Sequence, residues 1–328
     1  MVISKTPLRA SFFGGGTDFR GYFEHSRFGY GTALSTALDM YVYITVLKKF
    51  DDQIRVCYSQ NEVVERVEDV KHNIIREALK MTGVEKGVEI IYSADLPLGS
   101  VGVGLSSSSA IAVGTLNALL AYKGEYASPE RLARMACELE IERLGNPIGI
   151  QDQYAVAYGG FRRYKFYADG VVSAEPILAP APAMERLKSS LMLFYTGLTR
   201  DSSKIMREQT DTIEVKMALL DSMVEDAEHA YSALYRNDPD NWGPALDAAW
   251  QKKRQYASGV SNPTIDGMYA AAREAGATGG KILGAGGGGF LLLYVPAEKQ
   301  EAVRQALSGY RQIDFRFEPS GSQIIFYD

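Results

Sequence analysis

The sequence predicts an α+β protein built as two domains, and three observations carry that expectation. Its 328 residues suffice for two cores of ordinary size. Strand-like and helix-like segments interleave, but without the regular strand–helix–strand repeat of a doubly wound sheet. Pro176, Pro180 and Pro182 crowd one short segment that neither a central strand nor a helix interior accepts. That segment places an N-terminal domain over 1–180 and a C-terminal domain over 181–328.

Taken in order, Val2 to Phe13 reads as a strand, Met40 to Lys48 as a strong β-branched strand and Gln53 to Tyr58 as a weaker partner. Asp69 to Met81 reads as a helix, followed by a strand at Val88 and a helix from Ile111. Ser128-Pro129-Glu130 supplies an N-cap, a first-turn proline and an acid, opening a helix that runs to Leu144 before Gly145-Asn146-Pro147. Gly159 to Tyr167 then begins a hairpin with Asp169-Gly170 at its turn. Beyond the prolines come a strand at Leu191–Tyr195, helices over 202–236 and 242–259, and a helix over 265–275. A glycine-rich loop, a strand at Phe290–Val295, a helix over 297–307 and terminal strands complete the chain.

Composition narrows the function. A hydrophobic fraction of 46%, a charged fraction of 23% and a net charge of −5 describe an ordinary globular protein with no electrostatic bias toward nucleic acid. No apolar run reaches membrane-spanning length and no signal-peptide pattern opens the chain, so a cytoplasmic location is expected. Three scattered histidines and two distant cysteines offer no metal-ligand spacing.

The chemistry gathers in four segments. Pro97 to Ala110 (PLGSVGVGLSSSSA) places glycines and serines between a strand and a long apolar helix. There, backbone N–H groups and the helix dipole favour an anion, and hydroxyls can reach a phosphate-bound metal. It is no P-loop, because GKS and GKT are absent. Near the N-terminus, Arg9 and Asp18 flank Gly14-Gly15-Gly16, a run that permits close backbone approach. Gly149-Ile-Gln-Asp-Gln153 sets Asp152 on a loop after a helix bearing Glu138, Glu140 and Glu142. Late in the chain, Gly284 to Gly289 satisfies G-x-G-x-x-G formally, but it runs into a strand rather than a helix, which excludes the dinucleotide reading.

These four segments, in this order, resemble the GHMP kinases, and SFFGGGTDF with QDQYAVAYGG resembles their sugar-kinase branch, which phosphorylates the anomeric hydroxyl. The resemblance implies a βα nucleotide-binding N-terminal domain and a ferredoxin-like C-terminal domain. It implies ATP and Mg²⁺ as cofactors and a small sugar or sugar phosphate as partner, with a heptose 7-phosphate as first choice and fucose or galactose as alternatives. It also implies a set of site residues. ATP phosphates are expected on Gly99, Gly102, Gly104 and Ser106 to Ser109 (Ser106, Ser107, Ser108, Ser109), and Mg²⁺ on Ser108 and Glu142. Asp152 is expected as base and Arg9 as the activating cation. Thr17, Asp18, Gly15, Gly16, Gly286, Gly287 and Arg200 are expected around the acceptor. The serine loop carries extra residues relative to the family pattern, which leaves Ser107 open as the metal serine, and the spacing to Asp152 leaves Glu140 open as the metal carboxylate. A phosphorylated acceptor needs a second anion site, for which Lys5, Arg20, Arg162, Arg163, Arg200 and Lys204 are candidates. A non-catalytic regulator on the same fold is the reading from a different class.

Overall fold

A computed structural model describes residues 1–96, 104–198 and 203–328. The chain runs through β1 (Val2–Phe13), α1 (Arg20–Phe23), β2 (Tyr30–Lys48), β3 (Ile54–Cys57), β4 (Asn61–Val64), α2 (Asn73–Thr82), β5 (Val88–Ala94) and α3 (Ser107–Tyr122). It continues with α4 (Pro129–Cys137), α5 (Gln151–Tyr158), β6 (Phe161–Tyr167), β7 (Val172–Pro176), α6 (Ala181–Ser190) and β8 (Leu191–Tyr195). The last part holds α7 (Ser203–Asp211), α8 (Met217–Tyr235), α9 (Trp242–Tyr256), α10 (Pro263–Glu274), β9 (Gly279–Ile282), β10 (Phe290–Tyr294), α11 (Gln300–Ala306), β11 (Arg311–Ile313) and β12 (Gln323–Tyr327).

The predicted strand at Met40–Lys48 is the second half of a longer one, β2, whose halves serve different neighbours. Tyr30 to Thr36 pairs with β6 and Val42 to Lys48 with β5, while β1 runs antiparallel along both. The mixture of small and β-branched residues in Tyr30–Asp39 suits a strand buried on both faces, where alternation is lost. Against this sheet lies α3, buried from Ser109 to Leu120 and apolar on all sides, as a central helix must be.

The second sheet has the order β11-β8-β10-β9, antiparallel throughout. With helices after β8 and α11 after β10, this is the ferredoxin-like arrangement, enlarged by α7 to α10. Two findings revise the predicted layout. The strand β12 leaves the second sheet and pairs with β1, so 181–328 does not fold as one separate body. The predicted loop at Asp152 is the first turn of α5, a helix without an amphipathic stripe to announce it. Between the domains, Trp242 packs edge-on against Phe12 and Phe13, with ring centroids 5.2 and 5.0 Å apart.

Candidate active site

Arg9 on β1 and Asp152 in the first turn of α5 meet in a two-pronged ion pair. Arg9 Nε donates to Asp152 Oδ1 at 2.8 Å and Nη2 to Oδ2 at 2.7 Å, while Nη1 donates to the Gly104 carbonyl at 3.0 Å. The guanidinium is buried and the carboxylate partly open, a geometry that fixes the direction of the free carboxylate lone pairs.

The turn after β1 is forced by its glycines. Gly14 has φ +79°, and a Cβ there would stand 1.9 Å from the Thr32 carbonyl oxygen. Thr17 is fully buried, its hydroxyl within 2.8 Å of the Gly14 carbonyl and 2.7 Å of that of Thr32, and accepting from the Thr32 N–H. It therefore locks the turn, and the expectation that it contacts the acceptor does not fit its position. Asp18 accepts from the Gly16 N–H at 2.9 Å and the Gln151 N–H at 3.2 Å. Burial pushes its carboxyl above the ordinary range, against the pull of those two amides, and nearby Asp152 adds to the rise.

At the start of α3, Ser106 holds a left-handed backbone, φ 62°, and its buried hydroxyl has no partner among the described residues. Ser108 donates to Glu140 Oε1 and Ser109 to Glu140 Oε2, each at 2.7 Å, and Gln153 Nε2 donates to Oε2 at 2.7 Å. Glu140 lies in a π-helical turn, Glu138–Arg143, that continues α4. Its carboxyl is fully buried and raised by that burial, and among the described residues no cationic side chain pairs with it. The expected Glu142 sits on the exposed side of the same turn, away from the serines, because it is two residues past the buried stripe. Of the two carboxylates that the sequence left open, the one that meets the serines is Glu140.

The glycine loop between β9 and β10 touches the serine segment. A Cβ on Gly284 would lie 2.5 Å from Gly104 Cα, and one on Gly104 would lie 2.6 Å from the Leu283 carbonyl oxygen. Behind this loop lie two cations absent from the sequence expectations. Lys253 on α9 donates to the carbonyls of Gly284 and Ile282, and Lys281 on β9 donates to the Phe12 carbonyl at 2.8 Å, across the domain boundary. Burial pulls both ammonium groups down, Lys253 to about 8.

Two adjoining cavities result. The larger, about 550 Å³, is lined by Ser106, Ser107 and Ser108, by Gly284 and Gly286, and by Tyr58, His72 and Tyr92. The smaller, about 90 Å³, is lined by Gly15, Gly16, Asp18, Ser109, Lys253 and Lys281. Arg9 and Asp152 line both. Gly286 thus faces the larger cavity rather than the smaller, and the Gly287 N–H is turned to the Val260 carbonyl at 2.7 Å. Gly99, Gly102 and Arg200 lie outside the described residues. Of the proposed second-anion residues, Arg162 donates to the Gly159 and Ala174 carbonyls, Arg163 pairs with Glu175 and Glu228, and Lys5 covers the Tyr41 ring. Arg20 pairs with Glu24 and Lys204 is exposed.

A helix N-terminus rich in hydroxyls, a buried carboxylate beside it and a cation–carboxylate pair between two cavities define a small-molecule phosphotransferase. Profiles of the GHMP kinases N terminal domain and the GHMP kinases C terminal domain match residues 67–160 and 230–311, and the chain belongs to the GHMP kinase family. It is an ATP-dependent sugar kinase. It is 29% identical to a D-glycero-alpha-D-manno-heptose 7-phosphate kinase of Campylobacter jejuni over 98% of this chain and 97% of that protein. It is 27% identical to a galactokinase of Pyrococcus furiosus over 87% and 88% of the two chains. The fold superposes on the crystal structure of a D-glycero-D-manno-heptose 1-phosphate kinase from Bacteriodes thetaiotaomicron with a TM-score of 0.81, 23% identity and full coverage of both chains. Among the described residues no helix is long and apolar enough to cross a membrane.

Proposed function

We propose that this kinase transfers the γ-phosphoryl group of ATP to the anomeric hydroxyl of D-glycero-D-manno-heptose 7-phosphate, giving the 1,7-bisphosphate. The observation that carries the reading is the Arg9–Asp152 pair where the two cavities meet. The larger cavity has the volume for a nucleotide, and both the hydroxyls at the α3 N-terminus and aromatic rings line it. The smaller one receives the acceptor's reacting end, where Gly15, Gly16 and Asp18 offer backbone and carboxylate partners to sugar hydroxyls.

Asp152 takes the proton of the attacking hydroxyl, and Arg9 keeps that carboxylate aimed and offsets charge on the transferring group. Ser108 and Glu140 fit a magnesium ion: both are hard oxygen donors, and the buried carboxylate lacks a cationic partner among the described residues. Magnesium characteristically takes one or two carboxylates and completes its shell with water and phosphate oxygens, so two protein donors suffice. Bound there, it would neutralise phosphate charge. For the acceptor's own phosphate we retain Arg200, in the Thr-Gly-Leu-Thr-Arg run after β8, as the proposed partner.

The test is ADP release with Mg·ATP against heptose 7-phosphate, heptose 1-phosphate, fucose, galactose and mevalonate. The highest kcat/KM is expected for heptose 7-phosphate. Preference for an unphosphorylated hexose would instead favour the galactokinase-like alternative, and no turnover on any sugar would overturn the reading.

A further inference from the structure

The smaller cavity carries more positive charge than the roles above use. The α9 helix turns Trp242, Leu246, Ala249, Trp250 and Tyr256 inward, and Lys253 falls on the same stripe, 8% exposed. An ammonium there is costly, and a methionine of similar length would fill the space without that cost. The group is instead built in. The Gly284 and Ile282 carbonyls accept two of its N–H donors, and Lys253 lines the pocket that also holds Asp18 and Asp152. Arg9 is already committed, since three of its five donors go to Asp152 and Gly104.

We propose that Lys253 is a further catalytic residue of the transfer, its ammonium facing the acceptor oxygen and the phosphoryl group that arrives on it. The proposal rests on the smaller cavity being the acceptor pocket. In the step, the acceptor O–H proton passes to Asp152 while the acceptor oxygen forms its bond to the γ-phosphorus. The bond from that phosphorus to the β–γ bridging oxygen breaks, and ADP leaves with the electron pair. Lys253 keeps its proton throughout and supplies positive charge where the phosphoryl oxygens need it. The charged groups around it are Arg9 from β1, Asp18 from the glycine turn, Asp152 from α5 and Lys281 from β9. Burial and Arg9 disfavour its charged form while Asp152 and Asp18 favour it, leaving the group to titrate at about 8.

The experiment compares wild type, Lys253→Met and Lys253→Arg for kcat, for KM of ATP and of acceptor, and for Tm, between pH 6 and 9. For Lys253→Met, kcat is expected to fall about 10²–10³-fold. ATP KM should stay within about threefold and Tm should be equal or higher, since the buried charge is gone. Wild-type kcat should decline as pH rises through about 8, and Lys253→Arg should keep part of the rate and carry it to higher pH. A Lys253→Met rate within about threefold of wild type overturns the proposal. So does a loss of rate that merely follows a drop in Tm in both variants. Absence of wild-type turnover on every sugar is a different failure: it removes the functional reading, and the acceptor pocket with it.

Discussion

Glu140 in the N-terminal domain and Lys253 with Lys281 in the C-terminal domain are all buried charges, yet their partners differ in kind. The carboxylate is held by two serine hydroxyls and a glutamine amide, all side chains. The ammonium groups are held by backbone carbonyls of the glycine loop, of β9 and of β1. Side-chain partners can be removed singly, and hydroxyls can turn toward a metal when one binds. Backbone partners are fixed by the fold, so these two ammonium groups are as rigid as the backbone that holds them. Glu140 is therefore the adjustable charge and the two lysines the fixed ones.

Three substitutions break or sharpen that contrast. The largest effect is expected for Asp152→Asn, which keeps the shape but removes the proton acceptor and the charge facing Arg9. Turnover should fall about 10²–10⁴-fold with ATP KM nearly unchanged, and steady-state kinetics would reveal an error if the rate stayed near normal. Next comes Glu140→Gln. Burial raises the folded-state pKa of Glu140, so ionising it costs stability as pH rises through that value. The variant should gain roughly 0.5–2 kcal/mol at neutral pH and nothing in acid, where wild-type Glu140 is protonated. It should meanwhile need more Mg²⁺ for half-maximal rate and lose about 10²-fold in kcat. Thermal melts across pH and Mg²⁺ titrations check both, and a lower Tm at pH 7 would contradict the sign. The smallest effect is expected from Gly149→Ala, whose Cβ would stand 2.0 Å from Asp18 Oδ2. Displacing Asp18 should raise acceptor KM about tenfold and leave ATP KM alone, and an equal change in both would deny Asp18 an acceptor-side role.

Much of the frame was legible because it is written in local patterns. The N-cap at Ser128, the strand at Leu191–Tyr195 and the hairpin turn at Asp169-Gly170 follow from capping, a short continuous apolar run and turn chemistry. The serine segment and Arg9 stood out only when the four segments were taken together, and the structure brings Arg9 onto Asp152. Glu140 was legible in principle: it continues the stripe Leu132, Ala133, Ala136 and Leu139, which Glu142 leaves. Lys253 gave the same signal, a lone charge on the apolar stripe of α9, hidden within Lys252-Lys253-Arg254, which reads as solvated. Thr17 was not legible, because its burial depends on Thr32 arriving from another strand. Nor was the partner of β12, since a five-residue strand carries no mark of the sheet it joins.

The pairing of β12 with β1 also sets an order of events during synthesis. One edge of the first sheet is β1 until Gln323–Tyr327 has been made, so the nascent N-terminal half carries a strand with one open edge, paired only to β2, while the second sheet is being translated. Such an edge is a template for pairing with other chains. The second sheet, translated in between, delays the cover of that edge until β12 emerges.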